Sequence, residues 1–195
     1  MARGMTLAAW AAAALMWQAM MLVMMAPAAY PWLRAARLTA PAGTRYPATG
    51  FGAGYAAAWL PFSALLAALQ LDLAHALPAA PREQALCLLA AGVYQFTPLK
   101  QACLRHCRHP LSFLLARWEN GAASTFRLGV RHGWFCLGCC WALMALALVL
   151  GAMNLLWMAA LAAVVFVEQA LPRAAWVRTG LGLALVAAAA ARALV

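Results

Sequence analysis

The sequence predicts an all-α membrane protein, a bundle of about six transmembrane helices with one interfacial amphipathic helix in its third loop. Three observations carry this expectation. Of 195 residues, 68% are hydrophobic and only 9% charged, with a mean hydropathy of +0.82, a balance that excludes a soluble single domain. The apolar residues come in runs close to the ~20 needed to cross a bilayer. The basic excess, 14 Lys and Arg against 4 Asp and Glu, falls between those runs. The net charge of +10 is therefore a topology signal and not a nucleic-acid footprint. With one lysine, thirteen arginines and no isoleucine, the composition reads as a GC-rich bacterial coding sequence. Five of the six cysteines lie between Cys103 and Cys140, which is a cluster and not the framework of a secreted disulfide scaffold.

Taken in order, residues 6–26 form the first helix, ended by Pro27. The second spans about 50–71 and the third about 83–99. The apolar stretch 133–171 would be about 58 Å long as one helix, nearly twice the hydrocarbon thickness. It therefore folds back at Gly151-Ala-Met-Asn154 into helices four (133–150) and five (155–171). The Ala-rich tail 176–194 is the sixth, with Pro172 closing the segment before it. Lys and Arg number 3 in the first loop, 6 in the third and 2 in the fifth, against Arg3, Arg82 and Arg192 on the other side. The positive-inside rule then puts the odd loops in the cytoplasm and both termini outside, in a bacterial cytoplasmic (inner) membrane. Residues 1–28 also resemble a signal peptide whose cleavage would invert this orientation. Their apolar run exceeds the ~7–15 residues of a signal, and inversion would leave the larger basic set outside. The basic cytoplasmic loop 100–131 holds a short amphipathic piece from Pro110 to Trp118. Phe113, Leu114 and Trp118 share one side of it, as in a helix lying on the cytoplasmic leaflet, a pattern that a contact with another subunit would also give. No internal repeat is visible, which counts against an inverted-repeat transporter.

Three constellations carry chemistry. His132, Cys136, Cys140 and Met144 are each four residues apart. On a helix they form a stripe with about 6 Å between successive members, and Cys139 joins the same face. Soft sulfur ligands of this kind select Cu(I), or zinc where imidazole and thiolates predominate, over Mg and Ca. A single cysteine is also a small buried hydrophobe. Three cysteines with His and Met on one stripe argue for ligation instead. In the basic loop, Cys103 and Cys107 are again four apart, and the neighbouring arginines are expected to lower their pKa. His106 and His109 fit solvated side chains better than ligands. Met16, Met20 and Met24, with Met21 and Met25 alongside, form a thioether stripe on the first helix. Alone it fits core packing, but thioethers bind Cu(I) and few other biological metals. Measured from the cytoplasmic interface, Met20 lies about 8 to 9 Å deep and Cys136 about 6 Å, so the stripes overlap in depth. Glu168, a carboxylate costly in lipid, reaches the same side, as a functional group or as a partner of Arg131 or Arg173. Asn154, Gln18, Gln70 and Gln95 fit hydrogen bonding between helices. No Ser-His-Asp set, phosphate loop or carboxylate pair for acid/base catalysis is present.

Several blocks together resemble a known family: Met16-Trp17 with Met20-Met21 and Pro27; Tyr94-Gln-Phe-Thr-Pro-Leu-Lys100 with Cys103, Cys107-Arg108 and Pro110; His132-Gly133 with Cys136-Leu-Gly-Cys139-Cys140-Trp141; and Met153-Asn154, Trp157-Met158 and Glu168. The likeness, over nearly the whole chain, is to the bacterial family of predicted metal-binding integral membrane proteins. It is a domain of unknown function with some members labelled copper chaperones. The resemblance implies an integral membrane protein with a metal site, and carries over the cysteines, His132 and the matching methionines. Gln169 stands where a basic residue would follow the glutamate. The expectation is a membrane protein that binds Cu(I), with zinc as the other candidate, and passes it on. Cys136, Cys139 and Cys140 are the principal ligands, completed by His132 and by Met20 or Met24, with Met16 and Met144 continuing the stripes. Cys103 and Cys107 act as an entry pair. The expected partners are the lipid bilayer and a metal-delivering or metal-accepting protein. The alternatives are a membrane thiol-disulfide oxidoreductase using the CxxC and the loop pair, whose usual oxidising face is the opposite one, and a non-catalytic subunit of a membrane complex.

Overall fold

The computed structural model describes residues 6–40, 46–73, 81–117, 122–150, 155–171 and 175–193. Among them are eight α-helices and no strand: α1 (Leu7–Thr39), α2 (Pro47–Leu73), α3 (Pro81–Tyr94), α4 (Pro98–Cys107), α5 (Pro110–Arg117), α6 (Ala122–Leu150), α7 (Leu155–Ala170) and α8 (Ala175–Ala193). Three segments, Leu7–Thr39, Pro47–Leu71 and Ala123–Leu148, are long and apolar enough to cross a membrane, and Gln84–Tyr94 and Leu155–Ala170 are shorter apolar helices. The expected break at 151–154, Pro172, Arg173 and Trp118 lie outside the described residues.

The first helix does not stop at Pro27. Thr6 caps its start by accepting a hydrogen bond from the Ala9 backbone N–H, and α1 then runs through both Pro27 and Pro31 to Thr39. A proline inside a helix costs about 3 kcal/mol through its missing N–H and a clash one turn back. Here both rings point outward while Ala28, Ala29, Trp32, Ala35 and Ala36 continue the buried face. Trp32 is 2% exposed, and its indole N–H donates to the Cys107 carbonyl at 3.1 Å. Tertiary burial of this face outweighs the local penalty.

Helices α2 and α6 lie closest to each other. Gly50 and Gly54 on α2 meet Thr125, Phe126 and Val130, while Gly129 and Gly133 on α6 meet Phe51, Tyr55 and Ala58. A Cβ on Gly54 would overlap the Phe126 carbonyl, and one on Gly129 the Phe51 carbonyl. Two glycine pairs at four-residue spacing thus let the backbones touch. Contact positions advance together along both helices, so α2 and α6 run parallel. Helix α1 packs antiparallel to α2: Trp17 donates to Gln70, Ser63 to Gln18 at 2.8 Å, and Gln18 to the Ala56 carbonyl at 2.9 Å. Helix α3 packs on α8.

The segment expected as the basic loop 100–131 is helical through most of its described length. Pro98 forces Thr97 into extended backbone and opens α4, whose first turn Thr97 caps through Lys100 N–H. The third helix accordingly ends at Tyr94 and not at 99. The amphipathic piece forms α5, but its apolar side faces inward. Phe113 and Leu114 are buried, with Phe113 edge-on to Trp32 at 5.4 Å, while Leu111 and Leu115 are exposed. The α1 extension supplies the surface they cover. Met21, Met24, Met25, Trp17, Tyr55, Trp59, Cys107, Cys136, Cys139, Cys140 and Met144 belong to one buried cluster.

Candidate metal centre

Three thiols converge on α6. Cys136, Cys139 and Cys140 are each 1% exposed, and their Sγ atoms all lie within 4.8 Å of one another. The i, i+3, i+4 spacing places them on one helical face. The Cys139 and Cys140 thiols donate to the Cys136 carbonyl at 3.1 and 2.8 Å, which turns both side chains back along their own helix. From α4, Cys107 brings its Sγ to 3.9 Å from that of Cys139. Cys103, one turn earlier and half-buried, rests against Gly138, where a Cβ would come within 2.7 Å of its sulfur. None of the six cysteines, all among the described residues, forms a disulfide.

Two polar side chains reach the same sulfurs. The Tyr55 hydroxyl lies 3.2 Å from Cys136 Sγ. From α7, Gln169 Nε2 donates to Cys136 and Cys139 at 3.7 and 3.5 Å. The Tyr94 hydroxyl donates to the Gly138 carbonyl, bracing the middle of the Cys136–Cys140 turn. Sequence reasoning did not single out Tyr55, and marked Gln169 only as a departure from a basic residue.

His132 is buried but directed elsewhere. Its ring stacks on Trp32 at 3.7 Å, with Tyr55 at 5.5 Å and Phe51 at 5.7 Å, and it is not a member of the three-thiol group among the described residues. Trp32 sits on the part of α1 beyond Pro27, so an α1 ending there left no stacking partner in view. Met24 and Met144 are buried in the same cluster as the thiols, and Met16 and Met20 pack against its edge. His106 stacks on Phe135 at 4.2 Å and approaches the Ala102 carbonyl through Nδ1, while His109 is exposed.

The loop arginines do not activate the loop thiols. Burial raises the Cys103 thiol above its ordinary pKa. Hydrogen bonds with Cys136 and Cys139, and then burial, hold Cys107 well above its own. Arg105 is exposed, and Arg108 commits Nε and Nη2 to the Glu168 carbonyl at 3.1 and 2.8 Å. The Glu168 carboxylate meets Lys100 at 2.7 Å, with side chains 2% and 0% exposed, and Lys100 also donates to Gln95. This pair joins α4 to α7 and thereby presents Gln169 to the thiols. The expected partners of Glu168 were Arg131 or Arg173; the carboxylate pairs instead with Lys100, which the helical turn opened by Pro98 carries into the buried side of α4.

The fold and this cluster define an all-α protein with helices of membrane-spanning length around a buried set of soft ligand atoms. The family model PpoB2, described as copper chaperone, matches residues 14–192. The chain belongs to this family. No curated protein and no solved structure matches it.

Proposed function

We propose that the chain is an integral membrane protein that binds Cu(I) as cargo at Cys136, Cys139 and Cys140 and passes it to a partner protein. The observation that carries this reading is the convergence of three buried free thiols, with Cys107 as a fourth sulfur 3.9 Å from Cys139. With metal–sulfur bonds near 2.3 Å, two sulfurs on one ion stand about 4 Å apart, so these positions suit a shared ion after small side-chain rotations. Thiol donors favour Cu(I), and zinc is the competitor because Cys107 can complete four sulfurs. Each thiol that ligates releases its proton. Cys103, half-buried against Gly138, serves as the entry thiol and Cys107, 3.9 Å from Cys139, as its companion, so that exchange between thiols moves the ion without releasing it. Met20 or Met24 completes the sulfur set, with Met16 and Met144 continuing the stripes. His132 serves as a ligand only if it leaves the Trp32 stack. The fold is proposed as six spans with α4 and α5 in a cytoplasmic cap.

Metal analysis of the protein purified in detergent under reducing conditions tests the reading. Wild type is expected to carry stoichiometric Cu(I) that resists zinc, and the Cys136→Ser/Cys140→Ser variant to lose it while keeping its helical circular dichroism. A wild type without copper affinity, or an unchanged affinity in the double variant, refutes it.

A further inference from the structure

Where α4 meets the beginning of α8, Gln101, Leu104, Arg105, Arg108, Ala175 and Arg178 line a cleft of about 200 Å³. Three of these six residues carry a guanidinium group and none is acidic. The cleft exceeds several times the ~30 Å³ that one water occupies in the liquid, enough for a phosphate group. Like charges gathered in a partly desolvated cleft repel, and the repulsion grows as the effective dielectric falls. Arg108 registers it: its pKa sits below the ordinary value, through burial first and then through the Arg178 charge. The Glu168 carbonyl fixes Arg108 in place through its Nε and Nη2, so the guanidinium cannot swing away from its neighbour.

Arg178 adds a second observation. Its Nε is buried with no hydrogen-bond partner among the described residues. Buried donors of charged groups are ordinarily satisfied, and an unmet one is costly. Three positive groups converging on a cavity, one donor unmet, describe a site built for an anion with several oxygen acceptors. The surroundings set its level. Trp176, two residues before Arg178, is 75% exposed, and Leu99 and Leu171 beside the cleft's helices are 60% and 49% exposed. Exposed Trp and Leu next to arginines match the headgroup boundary of a bilayer.

We infer that this cleft binds a phosphate group through Arg105, Arg108 and Arg178, the phosphate being that of an anionic phospholipid or a free phosphate ion. None of the three arginines belongs to the proposed copper ligands, so the site stands or falls apart from the metal reading. The test uses the full chain in a neutral detergent, with native mass spectrometry or thermal shift against three probes: short-chain phosphatidylglycerol, short-chain phosphatidylcholine and inorganic phosphate. Phosphatidylglycerol is expected to bind in preference to phosphatidylcholine, with affinity falling as salt is raised. Arg178→Gln is expected to weaken it about tenfold, the scale of one charge-assisted hydrogen bond. Arg178→Lys should lose less, and Arg105→Gln should weaken binding in the same direction. Binding of phosphatidylglycerol alone assigns a lipid headgroup; matching, arginine-dependent binding of inorganic phosphate assigns a soluble phosphate. The unliganded melting temperature shows that each variant is folded. Absence of binding by both anionic probes, or affinities unchanged in folded Arg178→Gln and Arg105→Gln, overturns the inference.

Discussion

Around Cys136, sulfur neighbours and hydrogen-bond donors have separate tasks. Cys139 and Cys140 stand close enough to share an ion with it, whereas the Tyr55 hydroxyl and the Gln169 amide orient its sulfur and favour negative charge there. Partners behind a ligand typically contribute about 10–100-fold in metal affinity. Gln169→Leu and Tyr55→Phe should therefore each keep the copper stoichiometry but weaken Cu(I) affinity by about tenfold or more, as read by competition with a chromogenic Cu(I) chelator. Unchanged affinities would make both residues packing only. Cys107 gives a second prediction, through proton linkage. Its pKa in the fold is raised well above the ordinary thiol value, so between about pH 8.5 and the folded value the unfolded chain has lost a proton that the fold retains. The stability this group contributes is complete below about pH 8.5 and is lost as pH rises through the folded pKa. Melting temperatures of the metal-free protein should fall from pH 7.5 to pH 10, and Cys107→Ala should flatten that slope. At this scale the thiols were legible because their four-residue spacing needs only helix geometry. His132 shared the spacing, yet its ring answers to Trp32, about a hundred residues away in sequence.

Helix ends were the least legible feature, and each miss has an identifiable force behind it. Pro27 has the local chemistry of a stop, but the buried face of α1 continues past it because Trp32 finds Phe51, Phe113 and His132 to pack against. Pro98, by contrast, acts as its local chemistry says and begins α4. Nothing in a one-dimensional pattern distinguishes a proline whose far side is buried from one that is free to break the chain. The amphipathic α5 was visible from its pattern, but which surface covered its apolar side depended on the same α1 extension. Helix α4 is tied to α7 by the buried Lys100–Glu168 pair and by the Arg108 bonds to the Glu168 carbonyl. Removing one partner of such a pair leaves an uncompensated charge and costs about 3–5 kcal/mol, whereas replacing both by apolar groups is often neutral. Glu168→Gln should therefore lower the denaturation midpoint in detergent markedly, and Lys100→Met combined with Glu168→Leu should recover most of it. If Glu168→Gln unfolds like wild type, the pair does not hold the two helices together.

Across the whole molecule, the elements that build the centre meet at one end. Trp32 comes from the later half of α1, Phe51 and Tyr55 from the start of α2, His132 and the cysteines from the first half of α6, and Gln169 from the last turn of α7. Arg34, Arg37, Arg127 and Arg131 flank those same segments, with Lys100, Arg105 and Arg108 on α4. At the far ends of α3 and α8 the sequence places Arg82 and Arg192, the latter bonded to Gln84 at 2.8 Å. In the proposed orientation this basic end faces the cytoplasm, as the positive-inside rule predicts, and a reducing pool there would keep the thiols unoxidised. The parallel course of α2 and α6 puts the starts of both helices at this same end. If α1 crosses a bilayer as proposed, its 33 residues make about 50 Å of helix against a hydrocarbon layer of about 30 Å. One end of α1 must therefore stand out of the lipid, and the Trp32 end, packed under α5, is the one already covered by protein. Green fluorescent protein fused after residue 120 should fluoresce, and alkaline phosphatase at that position should be inactive. Fusions at the C-terminus should show the reverse pattern. A membrane-impermeant maleimide should label half-buried Cys103 only in inverted vesicles. Active phosphatase after residue 120 would place the thiols on the oxidising side, where copper acceptance from the cytoplasm is impossible and thiol–disulfide exchange becomes the reading to pursue.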